Sequence, residues 1–138
     1  MLEIQGINKF FGEHKVLKNV NTVFDDGGIY CLMGASGMGK TTLLRIILGL
    51  EIKDSGEIIG VNKDEISVMF QENRLCETLT PIENLALVCT KDITKKEIQK
   101  SLEKILPSEC LKQPVSELSG GMKRRVALAR AVIYPSKL

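Results

Sequence analysis

One stretch constrains this chain more than any other: GASGMGKT, Gly34 to Thr41, preceded by the apolar run IYCLM and followed by KTTLLRIILGL. Glycines at 34, 37 and 39 let a backbone turn its N–H groups inward around an anion, where side chains would obstruct it. The run before the loop does not alternate, as expected of a parallel-sheet strand covered on both faces, and Cys31 within it reads as a small core residue. The segment after the loop is apolar nearly all round, which predicts a buried helix. The positive end of that helix adds its dipole to the loop. Strand, loop and helix in this order are the proper setting for GxxxxGK[ST], and a glycine-rich turn matching by accident does not account for that setting. The chemistry such a loop suits is phosphate binding. Lys40 supplies a point charge between the β- and γ-phosphates, and the Thr41 hydroxyl can ligate Mg2+.

The remaining elements fall around this unit. MLEIQGINKFF and VLKNVNTVF show partial period-two alternation and read as strands, DDGG (Asp25 to Gly28) as a turn, and EISVMFQ as a further strand. TPIENLALV opens with Thr80, Pro81 and Glu83, which makes a capping box with proline at the first helical position. TKKEIQKSLEKIL repeats the box with Thr94 and Glu97; Ile98, Leu102, Ile105 and Leu106 share a helical face, and Pro107 stops it. A last helix follows SGG. These elements predict an α/β chain with a helical insertion after EISVMFQ. At 138 residues the chain is one domain or less, and its 43% apolar and 26% charged composition is ordinary for a globular protein. No apolar stretch approaches the ~20 residues a bilayer span needs. Residues 118–138 hold five basic and no acidic side chains. They sit in a helical apolar pattern without interleaved aromatics, which argues against nucleic acid as a partner. The four cysteines show no CxxC spacing and read as reduced thiols.

The segment LSGGM followed by KRRVALARA resembles the signature motif of the ATP-binding-cassette (ABC) ATPases, with Met122 where the usual form has Gln. By itself SELSGG is also a serine-capped helix start, and such a start is a second anion site of free N–H groups and a hydroxyl at Ser119, Gly120 and Gly121. The resemblance implies that Phe11, just before Gly12, stacks on adenine; the plainer reading makes Phe10 and Phe11 core residues facing opposite sides of a strand. SVMFQENRLCETLTPIENL looks like the family's glutamine-loop region and resembles the branch serving bacterial nitrate, sulfonate and taurine importers. That likeness implies Gln71 beside the metal and the attacking water. Met38 replaces a usual small residue, and Thr41 replaces the commoner Ser while keeping the hydroxyl. His14 falls in a polar turn and reads as a solvated side chain that does not match the family's catalytic histidine.

The fold so implied is an α/β P-loop NTPase of ABC ATPase type, with a parallel-sheet core, an N-terminal antiparallel β-region and a helical insertion. Residues 1–71 would carry the phosphate loop and β-region, 72–118 the glutamine loop and insertion, and 119–138 the signature helix. ATP would be held by Phe11, by Gly34, Ala35, Ser36, Gly37, Met38, Gly39, Lys40, Thr41 and Thr42, and by Ser119, Gly120 and Gly121. Mg2+ would be held by Thr41 and Gln71, with Lys40 and Gln71 as the catalytic residues. In family members the signature helix leads to an apolar strand ending in Asp-Glu, and no run of about four apolar residues followed by Asp-Glu occurs in this sequence. The expectation is therefore a cassette cut short before that strand, its sheet core incomplete and poorly soluble alone. It would bind ATP yet hydrolyse it poorly, since losing a positioned base costs ~10²- to 10⁴-fold in rate. Intact, it would pair head-to-tail with a second ABC ATPase subunit and drive a transmembrane permease from the cytoplasmic face of the membrane. The competing readings are a non-catalytic or degenerate nucleotide-binding module and, last, a soluble ABC protein of translation or DNA repair.

Overall fold

The computed structural model describes residues 1–90 and 92–138, which form two compact units, Met1–Ile66 with Lys137–Leu138 and Ser67–Ser136. In the first unit, strands β1 (Leu2–Phe11) and β2 (His14–Phe24) are the two expected from their alternation, and the helix α1 (Lys40–Ile47) follows the glycine loop. A short strand β3 (Ser55–Ile59) completes an antiparallel sheet of order β2-β1-β3. The inward face of β1 carries Leu2 and Ile4, then Ile7 and Lys9. Its phase thus changes from even to odd positions where the register against β2 slips between Ile4 and Ile7. A one-residue slip turns every later side chain to the other face, so a bulge is the only way this pattern stays buried. Asparagines hold the bulge open: the Gly6 N–H donates to Asn21 Oδ1 at 2.8 Å and the Asn19 N–H to Asn8 Oδ1 at 2.9 Å.

Leu43, Ile46 and Ile47 of α1 pack on Leu2, Ile4, Ile7 and Leu17. They lie at i, i+3 and i+4, so α1 buries one stripe rather than its whole circumference, and Leu44 stays half exposed. Each such side chain contributes about 1.5–3 kcal/mol by leaving water. The bulge also carries Lys9 inward. Its ammonium is buried, 2.8 Å from Glu51 Oε1, and donates to the Ile52 carbonyl at 2.7 Å. The hydrogen bond from Lys9 holds the Glu51 carboxyl below its ordinary pKa.

Two expected strands do not form. The turn at Asp25 to Gly28 is present, with the Gly28 N–H donating to the Asp25 carbonyl at 3.3 Å. Beyond it IYCLM joins no sheet, Ile29 is fully exposed and Cys31 is exposed, against its reading as a core residue. EISVMFQ is likewise unladdered; Glu65 closes a 3-10 turn over Lys63–Glu65, and the residues that follow are in no strand. The physical reason is that a strand is a property of a pair. Apolar composition supplies the faces, but the N–H and C=O groups need a neighbouring extended segment, and the sheet among the described residues consists of β1, β2 and β3 alone.

The second unit is helical: α2 (Pro81–Ala86), α3 (Lys95–Glu103) and α4 (Gly120–Ile133) surround Leu85, Ile98, Leu102, Leu106, Leu111, Val115, Leu118, Val126 and Ala129. Both capping boxes form as their sequences predict. The Glu83 N–H donates to Thr80 Oγ1 at 3.3 Å while the Thr80 N–H donates to Glu83 Oε2 at 2.8 Å, and Thr94 with Glu97 repeats the pattern at 3.3 and 2.7 Å. Hydrogen bonds from Thr80 and Thr94 hold both carboxyls below the ordinary glutamate pKa. Asn84 is fully buried; its Oδ1 accepts from the Cys76 N–H at 2.8 Å and its Nδ2 reaches the carbonyls of Cys76, Leu79 and Thr80. One side chain thereby fastens the loop that precedes α2.

Candidate functional site

The glycine loop ends at the start of α1, where Gly39 occupies the N-cap position with φ +84° and no side chain caps the helix. The first-turn N–H groups are therefore left for something outside the helix. The backbone at Gly39 is left-handed, and a Cβ there would lie 2.9 Å from Leu17 Cδ2 and Val16 Cγ1. Gly37 is also left-handed, φ +82°, but a Cβ there would meet nothing within 4 Å. One glycine thus lets the loop pack on β2, and the other keeps its concave side bare.

Lys40 is half-buried and turns back over the loop, donating from Nζ to the carbonyls of Gly34 at 2.8 Å and Ala35 at 2.7 Å. A pocket of about 340 Å³ opens here, lined by Ser36, Gly37, Gly39, Lys40, Thr41 and Thr42 together with His14 and Val16. From Gly34 to Thr42 the sequence has one cation and no carboxylate. Bare backbone, uncapped helix N–H groups, an ammonium and the hydroxyls of Ser36, Thr41 and Thr42 make a donor set that fits a phosphate chain. Thr41 is exposed and so within reach of a metal carried by that chain.

Phe11 is half exposed at the end of β1, with Lys9 Nζ 4.9 Å from its ring centroid. It is not among the residues lining the phosphate-loop pocket; His14 and Val16 of β2 are. Reading His14 as a solvated turn residue is corrected in part: it is exposed, but it begins β2 and walls this pocket. A signal for this was available. With a two-residue turn at Gly12 and Glu13, His14 pairs across the hairpin with Phe11, so the two side chains share one edge of the hairpin.

Gln71 and Ser119 to Gly121 belong to the second unit. Gln71 is exposed, in the bend that follows the unladdered segment. Its carbonyl accepts from Arg124 Nη1 at 2.8 Å. Ser119 caps α4, accepting from the Met122 N–H at 3.3 Å, and Gly120 and Gly121 are exposed with open space where a Cβ would stand. Met122 is half-buried, with its sulfur 4.0 Å from that of the buried Cys110. It packs against the helical core, where a Gln of similar length would have to place a polar amide against apolar side chains.

No helix among the described residues is long and apolar enough to cross a membrane. Comparison with known proteins fits this geometry. The chain is 36% identical over 95% of its length to the spermidine/putrescine import ATP-binding protein PotA of Thermotoga maritima. It is 38% identical over 96% of its length to the sulfate/thiosulfate import ATP-binding protein CysA of Pectobacterium atrosepticum. It spans 39% and 46% of those two proteins, less than half of either. Among solved structures it resembles an ATP-binding cassette in a dimeric post-hydrolysis state bound to ADP and Pi (TM-score 0.80, 28% identity, 99% of this chain and 71% of that one). A second dimeric structure of that cassette gives a TM-score of 0.79 at 27% identity, with the same coverage. The fold is accordingly that of the P-loop ABC ATPases, with the N-terminal antiparallel sheet expected of it. Residues 17–138 match the family model described as ABC transporter, and the chain belongs to that family.

Proposed function

We propose that this chain is the nucleotide-binding part of an ABC-type importer, holding ATP with Mg2+ and passing the energy of binding and hydrolysis to a separate permease. The observation that carries the reading is the Lys40 ammonium folded over a bare, acid-free loop at an uncapped helix start. Residues Gly34 to Thr42 hold the phosphates, Thr41 and Gln71 the metal, and Phe11 the adenine. Ser119, Gly120 and Gly121 meet the phosphates bound by a second cassette in a head-to-tail pair. The work is done at the inner face of the membrane through the permease.

Support for an importer comes from the two relatives, each named as an import ATP-binding protein. Their cargoes, a polycation in one and an oxyanion in the other, differ although the identities are alike. The cassette therefore carries little information on cargo, and the nitrate, sulfonate and taurine branch rests on the FQENRL…LT…ENL run alone. For hydrolysis the reading is asymmetric: the 138 residues supply phosphate and metal contacts but no Asp-Glu pair at the end of an apolar run. The chain by itself binds ATP and turns it over negligibly. The second reading, a binding module without catalysis, makes the same forecast for this chain and differs only in whether a permease is driven. Calorimetry with Mg-ATP, on the parent chain and on Lys40→Ala, tests the common core. Measurable heat lost in the variant supports it. No heat with folded parent protein, or equal heat in both, overturns it.

A further inference from the structure

We infer that Arg124 and Arg130 of α4 are positioning residues that clamp the loop bearing Gln71 to this helix, capped by Ser119, so that the two move as one body. Four of the five carbonyls between Phe70 and Arg74 are captured by these two side chains. Arg124 Nη1 donates to the carbonyls of Phe70 and Gln71, each at 2.8 Å, and reaches Asn73 Oδ1 at 3.4 Å. Arg130 donates from Nη1 to the Arg74 carbonyl at 2.7 Å and from Nη2 to the Asn73 carbonyl at 3.0 Å.

Besides these bonds the loop has local contacts of its own, with Arg74 against the Phe70 ring and 3.9 Å from Glu72 Oε2. It belongs to no strand, Gln71 and Glu72 are exposed, and Arg74 sits at φ +47° with its guanidinium 3.9 Å from the centre of the Phe70 ring. Four carbonyls of the loop thus turn to two arginines of one helix, Arg124 holding two through Nη1 and Arg130 dividing its two between Nη1 and Nη2. Such charge-assisted bonds restrain the backbone at both ends of the loop. Arg124 lies one turn from Gly120, the first residue of α4. Whatever displaces the Ser119 end of the helix is thereby transmitted to Gln71 through a rigid element. Arg125, the neighbour of Arg124, provides an internal contrast: its Nη1 donates to the Ile105 carbonyl of a different segment at 3.2 Å.

The test is backbone amide relaxation by NMR on the isotopically labelled chain. In the parent, amides 71–74 have order parameters near the rigid value of about 0.85, and in Arg124→Gln and Arg130→Gln they fall below about 0.6. Those of α2 and α3 stay unchanged in both variants. Arg125→Gln leaves the loop rigid, and Arg124→Lys, which keeps a donor to the carbonyls, restores most of the lost order. If Arg124→Gln and Arg125→Gln loosen the loop equally, or if Arg124→Gln mobilises α2 and α3 as much as the loop, the clamp is refuted and the arginine only stabilises its helix. Should the Gln variants fail to fold, Arg124→Lys decides: a loop as mobile as an unrestrained terminus refutes the clamp. The inference rests on Gln71 as a site residue for its importance but not for its measurement. Loss of the nucleotide reading would appear as a parent chain that ignores ATP, with loop order unaffected.

Discussion

Gly37 and Gly39 sit two residues apart, both left-handed, and adding one methyl to each separates two roles of the phosphate loop. At Gly37 the new Cβ enters open space, so Gly37→Ala pays only for an L-residue at positive φ, about 1–2 kcal/mol. At Gly39 the same strain is joined by contacts at 2.9 Å with Leu17 Cδ2 and Val16 Cγ1 and at 3.1 Å with the Val16 carbonyl. The side chains can shift a little; the carbonyl belongs to β2 and cannot. Overpacking of this kind adds roughly 1–3 kcal/mol, for a total of about 2–5 kcal/mol. The two variants thus differ by about 1–3 kcal/mol, which at a urea slope of roughly 1.5 kcal/mol/M separates their midpoints by on the order of 1 M. Nucleotide affinity runs the other way relative to stability. Gly37 lines the pocket, and a methyl on its bare side obstructs an anion while leaving the fold nearly intact. Urea unfolding followed by circular dichroism gives the first quantity, and titration with a fluorescent ATP analogue gives the second. Equal midpoints, or a Gly39→Ala chain more stable than Gly37→Ala, would refute the division of labour between the two glycines.

Three other outcomes are expected. Lys40→Ala removes the one charged donor of the loop and weakens ATP binding by about 1.5–3 kcal/mol, roughly ten- to a hundredfold, with the unfolding midpoint unmoved; calorimetry against the parent checks this. The Glu83 and Glu97 carboxyls are held low by hydrogen bonds from Thr80 and Thr94, so their contribution is complete above the unfolded glutamate value of about 4.3 and is lost as pH falls through the folded values. Helical circular dichroism between pH 5 and 2 should therefore decline, and the double variant Glu83→Gln with Glu97→Gln should show a shallower decline. Leu102→Ala opens the centre of the helical unit, where Leu102 has no exposed surface, and costs about 2–5 kcal/mol; a loss under 1 kcal/mol in urea unfolding would mean that the core collapses around it.

What could be read in the residues, and what could not, divides by the range of the interactions concerned. Both capping boxes and the proline at the first turn of α2 are settled by atoms within four residues of one another, and all of them form, as does the helix that follows the glycine loop. α3, however, ends at Glu103, four residues ahead of the stop expected at Pro107, so Ile105 and Leu106 lie beyond it. The strands need partners. β1 and β2 were legible because a tight turn makes them each other's partner, whereas IYCLM and EISVMFQ carried the right side chains with no ladder to join. The bulge at Gly6 lay between these cases. Its signature was present as a change of phase from Leu2 and Ile4 to Ile7 and Lys9, but the polar Lys9 hid it, since a buried lysine is expected only once Glu51 and the Ile52 carbonyl are known to wait for it.

The same distinction bears on the site. The phosphate loop is a local device, and Gly34 to Thr42 come together as one piece of backbone. The wall made by His14 and Val16, and the grip of Arg124 and Arg130 on residues 70–74, depend on contacts made across more than 20 and more than 50 positions of sequence. Arginines on an exposed helix face otherwise read as solvated charge, and a basic tail with no acidic residue of its own invites that reading. Their partners here are carbonyls, which every residue possesses and no composition reveals. A glycine loop of this kind can therefore be found from its own letters, while the residues that steady the segment 70–74 become visible only when backbone oxygens are counted as ligands for the cations around them.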